Sequence, residues 1–238
     1  MHKFSLLVAG SLLVGANLSA QTVYTGQTLN PGNAVGGAAL VARNNFLGAL
    51  SSNVATNGFD AIAVGTPAPL ALNFGFAGIA TLNGSGQVQT GTGFGRFATS
   101  PSNFWEQIVG QGNAFSVTFS QAVAGFGFYG TDIGDFNGRL TLRLLLGGNN
   151  VGSFLVQDGD LSGDFVSALE GNLRFWGVTY GTNAFDRIEF ALEGQTDVFG
   201  FDDMTVADAS QVVPEPASIA LLGAGLVGLV GVARRRRA

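Results

Sequence analysis

Alternation of apolar and polar residues dominates the second half of this chain. It is clearest in three segments: AFSVTFS (114–120), RLTLRLLL (139–146) and FDRIEFAL (185–192). Because successive side chains of a β-strand point to opposite faces of the sheet, each segment would bury one side, such as Phe115, Val117 and Phe119, and expose the other. The pattern predicts half-buried strands.

More strands are expected between these, at residues 125–129, 151–156, 173–180 and 198–206. The stretches that separate them are rich in Gly, Asn and Asp, which are turn residues. Half-buried strands that recur every roughly 8–15 residues with such turns indicate an all-β fold. We expect an antiparallel, jelly-roll-like β-sandwich that occupies residues 21–211.

Residues 21–70 show weaker periodicity than the rest of the predicted sandwich. Only the segment ALVARNNFLGAL (39–50) has apolar residues at helical spacing, and it predicts one short helix. Its apolar residues are Leu40, Val41, Phe46, Leu47 and Leu50.

The charge and chemistry of residues 21–213 exclude several classes of function. This stretch contains 15 Asp and Glu against six Arg and no Lys, and the chain has no cysteine. The single histidine and the single lysine are His2 and Lys3. Nucleic acid is therefore not an expected partner, because little positive charge is present to displace phosphate counterions. Thiolate, imidazole and amine catalysis are also excluded from this stretch.

The first 20 residues have the pattern of a secretory signal peptide. His2 and Lys3 precede an apolar stretch that runs from Phe4 to Ala16, and small residues follow at 19 and 20. Cleavage is expected after Ala20, with Ala16 as the alternative position. An uncleaved membrane anchor is the other interpretation, although the apolar stretch is short for a span.

Near the other end, residues 217–233 contain no charge and are followed by four arginines. As a helix, 17 residues would extend roughly 26 Å, slightly less than a ~30 Å hydrocarbon core. We expect a single transmembrane helix. The positive-inside rule keeps the basic tail, which comprises Arg234, Arg235, Arg236 and Arg237, in the cytoplasm. Both ends thus place the predicted sandwich outside the cytoplasm.

The four residues before this span are Val213, Pro214, Glu215 and Pro216. Their order, followed by an apolar span and a basic cluster, resembles the PEP-CTERM sorting signal, so residues 212–238 are interpreted as a sorting segment. The resemblance implies an inner-membrane precursor that exosortase cuts near the motif, after which the protein reaches the cell surface or the medium. It also implies a host that makes extracellular polysaccharide, which is a candidate partner. A permanent, unprocessed anchor is the alternative.

Two acidic segments are candidate metal sites. DGDLSGD places Asp158, Asp160, Ser162 and Asp164 at the spacing of a calcium loop. The twelfth position is Leu169, however, and Glu170 comes one residue late, so an acidic surface turn is the alternative interpretation. Ca²⁺ is the only cofactor that the sequence suggests.

The second acidic segment is the pair Asp202 and Asp203 in VFGFDDMTV. In a regular strand the two carboxylates would point to opposite faces and could not act as a catalytic pair. Asp202 would then share a face with Met204, and one carboxylate would lie among apolar neighbours. Such a group needs arginine, backbone amides or a metal as a partner. Structural pairing, Ca²⁺ binding and ligand binding all remain open.

Trp105 and Trp176 are candidates for stacking on sugar rings, with burial in the core as the alternative. We expect a non-enzymatic exported protein of the cell surface or extracellular matrix, with no catalytic residues. A carbohydrate- or surface-binding module is the alternative. A hydrolase that uses a pair of carboxylates is a further one.

Overall fold

The computed structural model describes residues 21–110, 112, 114–134, 138–157, 171–181, 184–194 and 196–213. We refer to residues 21–213 as the body. Its strands are β1 (Thr22–Thr28), β2 (Ala55–Asn57), β3 (Leu70–Asn73), β4 (Ile79–Asn83), β5 (Gln87–Thr90), β6 (Thr92–Gly93), β7 (Arg96–Phe97), β8 (Asn103–Val109), β9 (Phe115–Val123), β10 (Gly125–Thr131), β11 (Arg139–Leu146), β12 (Asn149–Gln157), β13 (Leu173–Thr179), β14 (Phe185–Glu193) and β15 (Asp197–Ala207). One α-helix, α1 (Gly37–Gly48), and a 3₁₀ turn (Gly75–Ala77) complete the described elements.

The strands form two antiparallel sheets and a short separate hairpin of β6 and β7. The first sheet has the order β1-β13-β10-β15-β8-β5, and β2 also pairs with β15. The second has the order β12-β11-β14-β9-β4-β3. Strands β8 to β15 give the orders β8-β15-β10-β13 and β9-β14-β11-β12, the jelly-roll-like arrangement of two Greek keys. The predicted antiparallel sandwich is confirmed, and every strand expected from alternation is present.

The main core lies between the two sheets and is rich in aromatic residues. The ring centroids of Phe115 and Phe190 are 4.4 Å apart, and those of Phe128 and Phe201 are 5.1 Å apart. Contacts of this kind add to the free energy gained by burying apolar area. The alternation read from the sequence supplies this core, since Leu140, Leu142 and Leu144 are all buried.

A second, smaller core covers the outer face of the first sheet, where α1 packs. The predicted helix is confirmed, and it spans Gly37–Gly48 rather than residues 39–50. Ala39, Ala42 and Phe46 are buried against the sheet, whereas Val41 is 58% exposed. Small alanines let the helix approach the strands closely. Of the apolar residues named from the sequence, Phe46, Leu47 and Leu50 pack in this core.

Glycines make room for this helix on the sheet beneath it. Gly127 of β10 and Gly177 of β13 are paired across the strands, and the ring of Phe46 lies over both. A Cβ built on either glycine would come within 3.0 Å of that ring. The first sheet is thus buried on both faces, and every residue of β10 is buried.

Within the described ranges, no helix is long and apolar enough to cross a membrane. The predicted signal peptide (residues 1–20) and the predicted transmembrane helix (217–233) both lie outside those ranges.

The contact between β1 and α1 generates a stability prediction. A Cβ on Gly26 would lie only 2.2 Å from the carbonyl oxygen of Ala38, which belongs to the helix backbone and cannot rotate away. We expect Gly26→Ala to lower the free energy of unfolding by about 1–3 kcal/mol, because α1 must shift off the sheet. Urea unfolding of the purified protein measures this change.

Gly48→Ala is the matched control for this prediction. It places the same methyl group in the last residue of α1, where no atom lies within 4 Å. Its expected effect is neutral or stabilising by under about 1 kcal/mol. Equal losses in the two variants would contradict the close approach of α1 to β1.

Candidate functional site

A group of hydrogen-bonded polar residues lies where the central strand β15 stops pairing with β8 and starts pairing with β2. Residues 197–201 of β15 pair with β8, and residues 204–206 pair with β2. Asp202 and Asp203 fall between these two pairings. The chain segments that approach this gap are the loop of residues 98–102 and the turn at residues 58–60.

A β-bulge at this point overturns the expectation that Asp202 and Asp203 face opposite sides. Asp203 has a positive φ of 48°, and the register with β10 shifts at the same place. The side chains of Phe199 and Phe201, which precede the bulge, lie in the main core. Those of Met204 and Val206, which follow it, lie there too. The extra residue leaves Asp202 and Asp203 together outside the main core. Asp202 therefore does not share a face with Met204.

Both carboxylates reach the same neighbour, Thr99. The amide N–H of Thr99 donates to Asp202 Oδ2 at 2.6 Å, and its hydroxyl donates to Asp203 Oδ2 at 3.4 Å. The Ser100 amide also donates to Asp202 Oδ2, at 2.8 Å, and the Asp203 amide donates to Oδ1, at 2.7 Å. Asp202 is therefore paired with backbone amides, one of the partners expected from the sequence.

Asp202 is 1% exposed. Burial raises the pKa of Asp202 to about 7, and the nearby Asp203 charge adds to this rise, while the Ser100 amide opposes it. Burial also raises the pKa of Asp203, and the charge of Arg43 opposes that rise. The Arg43 guanidinium on α1 lies 3.7 Å from Asp203 Oδ2 and 5.6 Å from the ring centroid of Tyr129.

Asp60 fixes the next part of the same loop. Its Oδ1 accepts hydrogen bonds from the amide and hydroxyl of Ser102, at 2.9 and 3.0 Å, and from the amide of Asn103 at 3.0 Å. Burial opposes ionisation, but the hydrogen bonds from Asn103 and Ser102 outweigh it and lower the pKa of Asp60. Two carboxylates thus hold residues 99–103 through backbone amides.

Arg96 of β7 joins two further carboxylates. Its Nε lies 2.8 Å from Glu106 Oε2, and its Nη1 lies 3.3 Å from Asp132 Oδ2. Asp132 is buried, and it also accepts a hydrogen bond from the Gly171 amide at 3.0 Å. The guanidinium offsets part of the negative charge of this acidic pair, and its ion pair with Glu106 of β8 attaches the short hairpin to the first sheet.

The anchored loop and the hairpin border a shallow cleft of about 280 Å³. Phe94, at the tip of the hairpin, is 84% exposed and has a positive φ of 49°. The Arg96 guanidinium lies 5.7 Å from its ring centroid. Hydroxyl, amide and small side chains dominate the cleft, which is lined by Asn33, Thr90, Gly91, Thr92, Phe97, Ala98, Pro101 and Ser102. This surface offers hydrogen bonds beside one exposed aromatic ring.

The two tryptophans considered as sugar-stacking candidates do not form this surface, and both are buried in the core, the alternative given from the sequence. Trp105 and Trp176 have no exposed area. Trp105 stacks on Phe59, with centroids 6.2 Å apart, and Trp176 packs against Phe154 at 5.8 Å. Both indoles fill the space between the sheets, where a sugar ring cannot reach them.

The predicted metal sites have different outcomes. Asp158, Asp160, Ser162 and Asp164 lie outside the described residues. In the part of the chain that the structure describes, no three acidic or histidine side chains are grouped as metal ligands. Asp202 and Asp203 are brought together, but N–H and O–H donors occupy the oxygens of Asp202.

The sorting motif begins where the body ends. Leu50 and Val212 form a β-bridge, the Ser51 amide donates to the Gln211 carbonyl at 2.8 Å, and the Val213 amide donates to the Ala49 carbonyl at 2.9 Å. Val212 is buried in the second core, and Val213 is half exposed. The remaining motif residues, Pro214, Glu215 and Pro216, and the basic stop at Arg234–Arg237 lie outside the described residues.

Burial of Asp202 generates a prediction about pH. Because its pKa is higher in the folded protein than the ordinary 3.8, the folded state binds more protons between about pH 4 and 7. We expect the free energy of unfolding to fall, relative to the Asp202→Asn variant, as the pH rises through this window. Urea unfolding at several pH values measures the difference.

Asp60→Asn is the control for this measurement, since the pKa of Asp60 is lowered. The wild type should gain stability relative to Asp60→Asn as the pH rises through about 4, the opposite sign. The same slope for both variants would contradict the assignment of a raised pKa to Asp202.

Seven chains of solved structures match this chain, and three of them, described here, are distant in sequence. The K2 cleaved adhesin domain of Lys-gingipain has 12% identity and a TM-score of 0.41, with 66% of this chain and 99% of that chain covered. TmCBM61, solved with β-1,4-galactotriose, has 14% identity and a TM-score of 0.32, with coverages of 64% and 94%.

The enzymatically active domain of bacteriophage CBA120 tailspike protein 4 also has 14% identity and a TM-score of 0.32, with 54% of this chain and 19% of that chain covered. No curated protein matches the chain. Residues 212–237 match the family model of the PEP-CTERM protein-sorting motif, which confirms the resemblance in this part of the sequence.

Proposed function

We propose that this chain is an exported, non-enzymatic protein that exosortase processes at residues 213–216, and that its body then acts at the cell surface or in the extracellular matrix. The observation that carries the proposal is the sorting motif at residues 212–237, joined directly to a folded β-sandwich. Residues 1–20 would direct export, and the apolar run 217–233 would hold the precursor in the inner membrane with its arginines inside.

The chemistry of the motif supports recognition by a processing enzyme. Pro214 and Pro216 restrict their own φ angles and disfavour helix at the residues before them. Residues before the apolar run are therefore biased towards an extended conformation, which an enzyme can bind. Glu215 adds a charge that can distinguish this motif from other extended segments.

A non-enzymatic role is supported by how the carboxylates of the body are used. Asp202 and Asp60 bind backbone amides, and Asp132 and Glu106 share Arg96. Each of these groups holds one piece of chain against another. Residues 21–213 also contain no Cys, His or Lys that could act as a nucleophile or base. A carboxylate hydrolase is therefore the weaker alternative.

The sorting proposal predicts two mass changes in cells that contain exosortase. We expect the intact mass of the mature protein to lack residues 1–20 and the apolar run 217–233. In the Pro214→Ala/Pro216→Ala variant, the full-length membrane-bound form should accumulate, because the extended bias is lost.

The matched control replaces Arg234–Arg237 with four lysines, which keeps the charge and should leave processing unchanged. Recovery of wild-type protein that retains residues 217–233 in the same cells would favour the permanent anchor instead.

Binding of extracellular polysaccharide is a second candidate function of the body, and Phe94 is the observation that favours it. An aromatic ring that is 84% exposed at a positive φ carries a cost in folding, and such residues cluster at functional sites. The adjacent cleft supplies hydroxyl and amide groups, including Asn33, Thr90 and Thr92. The apolar face of a sugar ring could stack on Phe94 while its hydroxyl groups form hydrogen bonds in the cleft.

The binding hypothesis predicts that Phe94→Ala weakens binding to polysaccharide purified from the host strain by about 10–100-fold, the loss expected when the burial of one aromatic side chain is removed. Phe76→Ala is the control, since Phe76 is also largely exposed but lies in the turn between β3 and β4 of the second sheet. A pull-down titration measures both. Equal binding by the two variants would contradict a site at Phe94.

A further inference from the structure

The last described residues of the body hold the start of the sorting motif in place. We call residues 211–213 and their partners 49–51 the C-terminal bridge. Its two backbone hydrogen bonds join Ser51 to Gln211 and Val213 to Ala49. Gln211 is buried, and its side-chain amide donates to the Asn53 carbonyl at 3.0 Å. The bridge is short, but it contains a residue of the motif itself.

The motif has few backbone N–H groups that a processing enzyme could bind while the C-terminal bridge is formed. Pro214 and Pro216 have no N–H group. The N–H of Val213 is bonded to the Ala49 carbonyl. The one N–H of the motif that lies within the described residues is therefore already used by the bridge. An enzyme that binds an extended peptide through main-chain hydrogen bonds would have to compete with Ala49 for Val213.

The spacing along the chain adds a steric constraint. Residues 214–216 separate Val213 from the first residue of the apolar run, Ala217. Even fully extended, four steps of chain reach at most about 14 Å. The headgroup region on one side of a bilayer takes about 5–8 Å of that distance. A closed bridge therefore holds the body close to the membrane and leaves little room for an enzyme to surround the motif.

We propose that the C-terminal bridge must open before exosortase can cut, so that the fold of the body regulates its own processing. This inference rests on the proposed sorting function. Opening requires the loss of the two backbone hydrogen bonds and the exposure of Val212, while strand β15, which ends at Ala207, stays paired. Local release of this size is far smaller than unfolding of the sandwich.

A removable cross-link tests the proposal. The hydrogen bonds flank Leu50 and Val212, which is the pattern of a non-hydrogen-bonded antiparallel pair, whose Cα atoms are typically about 4.5 Å apart. That separation suits a disulfide, and the chain has no other cysteine to interfere. Disulfides also form readily outside the cytoplasm. The test variant is Leu50→Cys/Val212→Cys, expressed as the full chain with exosortase.

We expect the oxidised variant to accumulate at full length, with processing reduced at least tenfold, and added reductant to restore it. Leu50→Cys alone, which leaves the sorting segment intact, should be processed like the wild type with and without reductant. In a third chain, a flexible linker of about eight Gly and Ser residues and a second valine are inserted between Val213 and Pro214 of the cross-linked variant. This chain should be processed equally with and without reductant.

The outcomes distinguish failure of the bridge proposal from failure of the proposed sorting function. Processing of the oxidised variant at the wild-type rate would overturn the proposal, and so would failure of the linker to restore processing. Absence of processing in the wild type would instead reject the proposed sorting function.

Discussion

The hydrogen bonds from the Thr99 and Ser100 amides to Asp202 hold together the part of the body on which its other surfaces depend. Strand β15 is central in the first sheet, yet it changes partners at this residue from β8 to β2. The buried carboxylate of Asp202 accepts hydrogen bonds from the backbone amides of the loop that crosses the gap. Without it, water would have to supply these hydrogen bonds. The loop, the cleft beside it and the hairpin that carries Phe94 are positioned as a result.

The sandwich could be predicted from the sequence because alternation reports directly on strands that have one buried face. The second sheet has such strands, and Leu140, Leu142 and Leu144 of β11 follow the pattern, whereas Leu146 at the end of the strand is 40% exposed. The close approach of α1 to the first sheet could not be predicted, because the sheet accepts the helix through Gly127 and Gly177, which carry no hydrophobic signal. Burial of the first sheet on both faces arises from packing between segments that are distant in sequence.

The candidate site was predicted less well, for reasons that particular residues make clear. Asp202 was recognised as a group that needs a partner, but the bulge at Asp203 changes the side on which both residues lie. Trp105 and Trp176 were considered for their size, although large aromatic residues in a sandwich fill its core. The exposed ring is Phe94, which stands between Gly93 and Gly95, and a glycine on each side is a turn signal that the sequence does contain.

The central place of β15 has a consequence for the order in which the body can be assembled. In a chain that crosses a membrane with its amino end first, β10 and β8 emerge long before the strand that lies between them. The first sheet therefore stays in two halves until residues 197–207 have crossed, about ten residues before the apolar run begins. Under the proposed export, the tertiary structure would therefore be completed only as residues 217–233 reach the membrane, and the newly closed domain would lie at the bilayer surface.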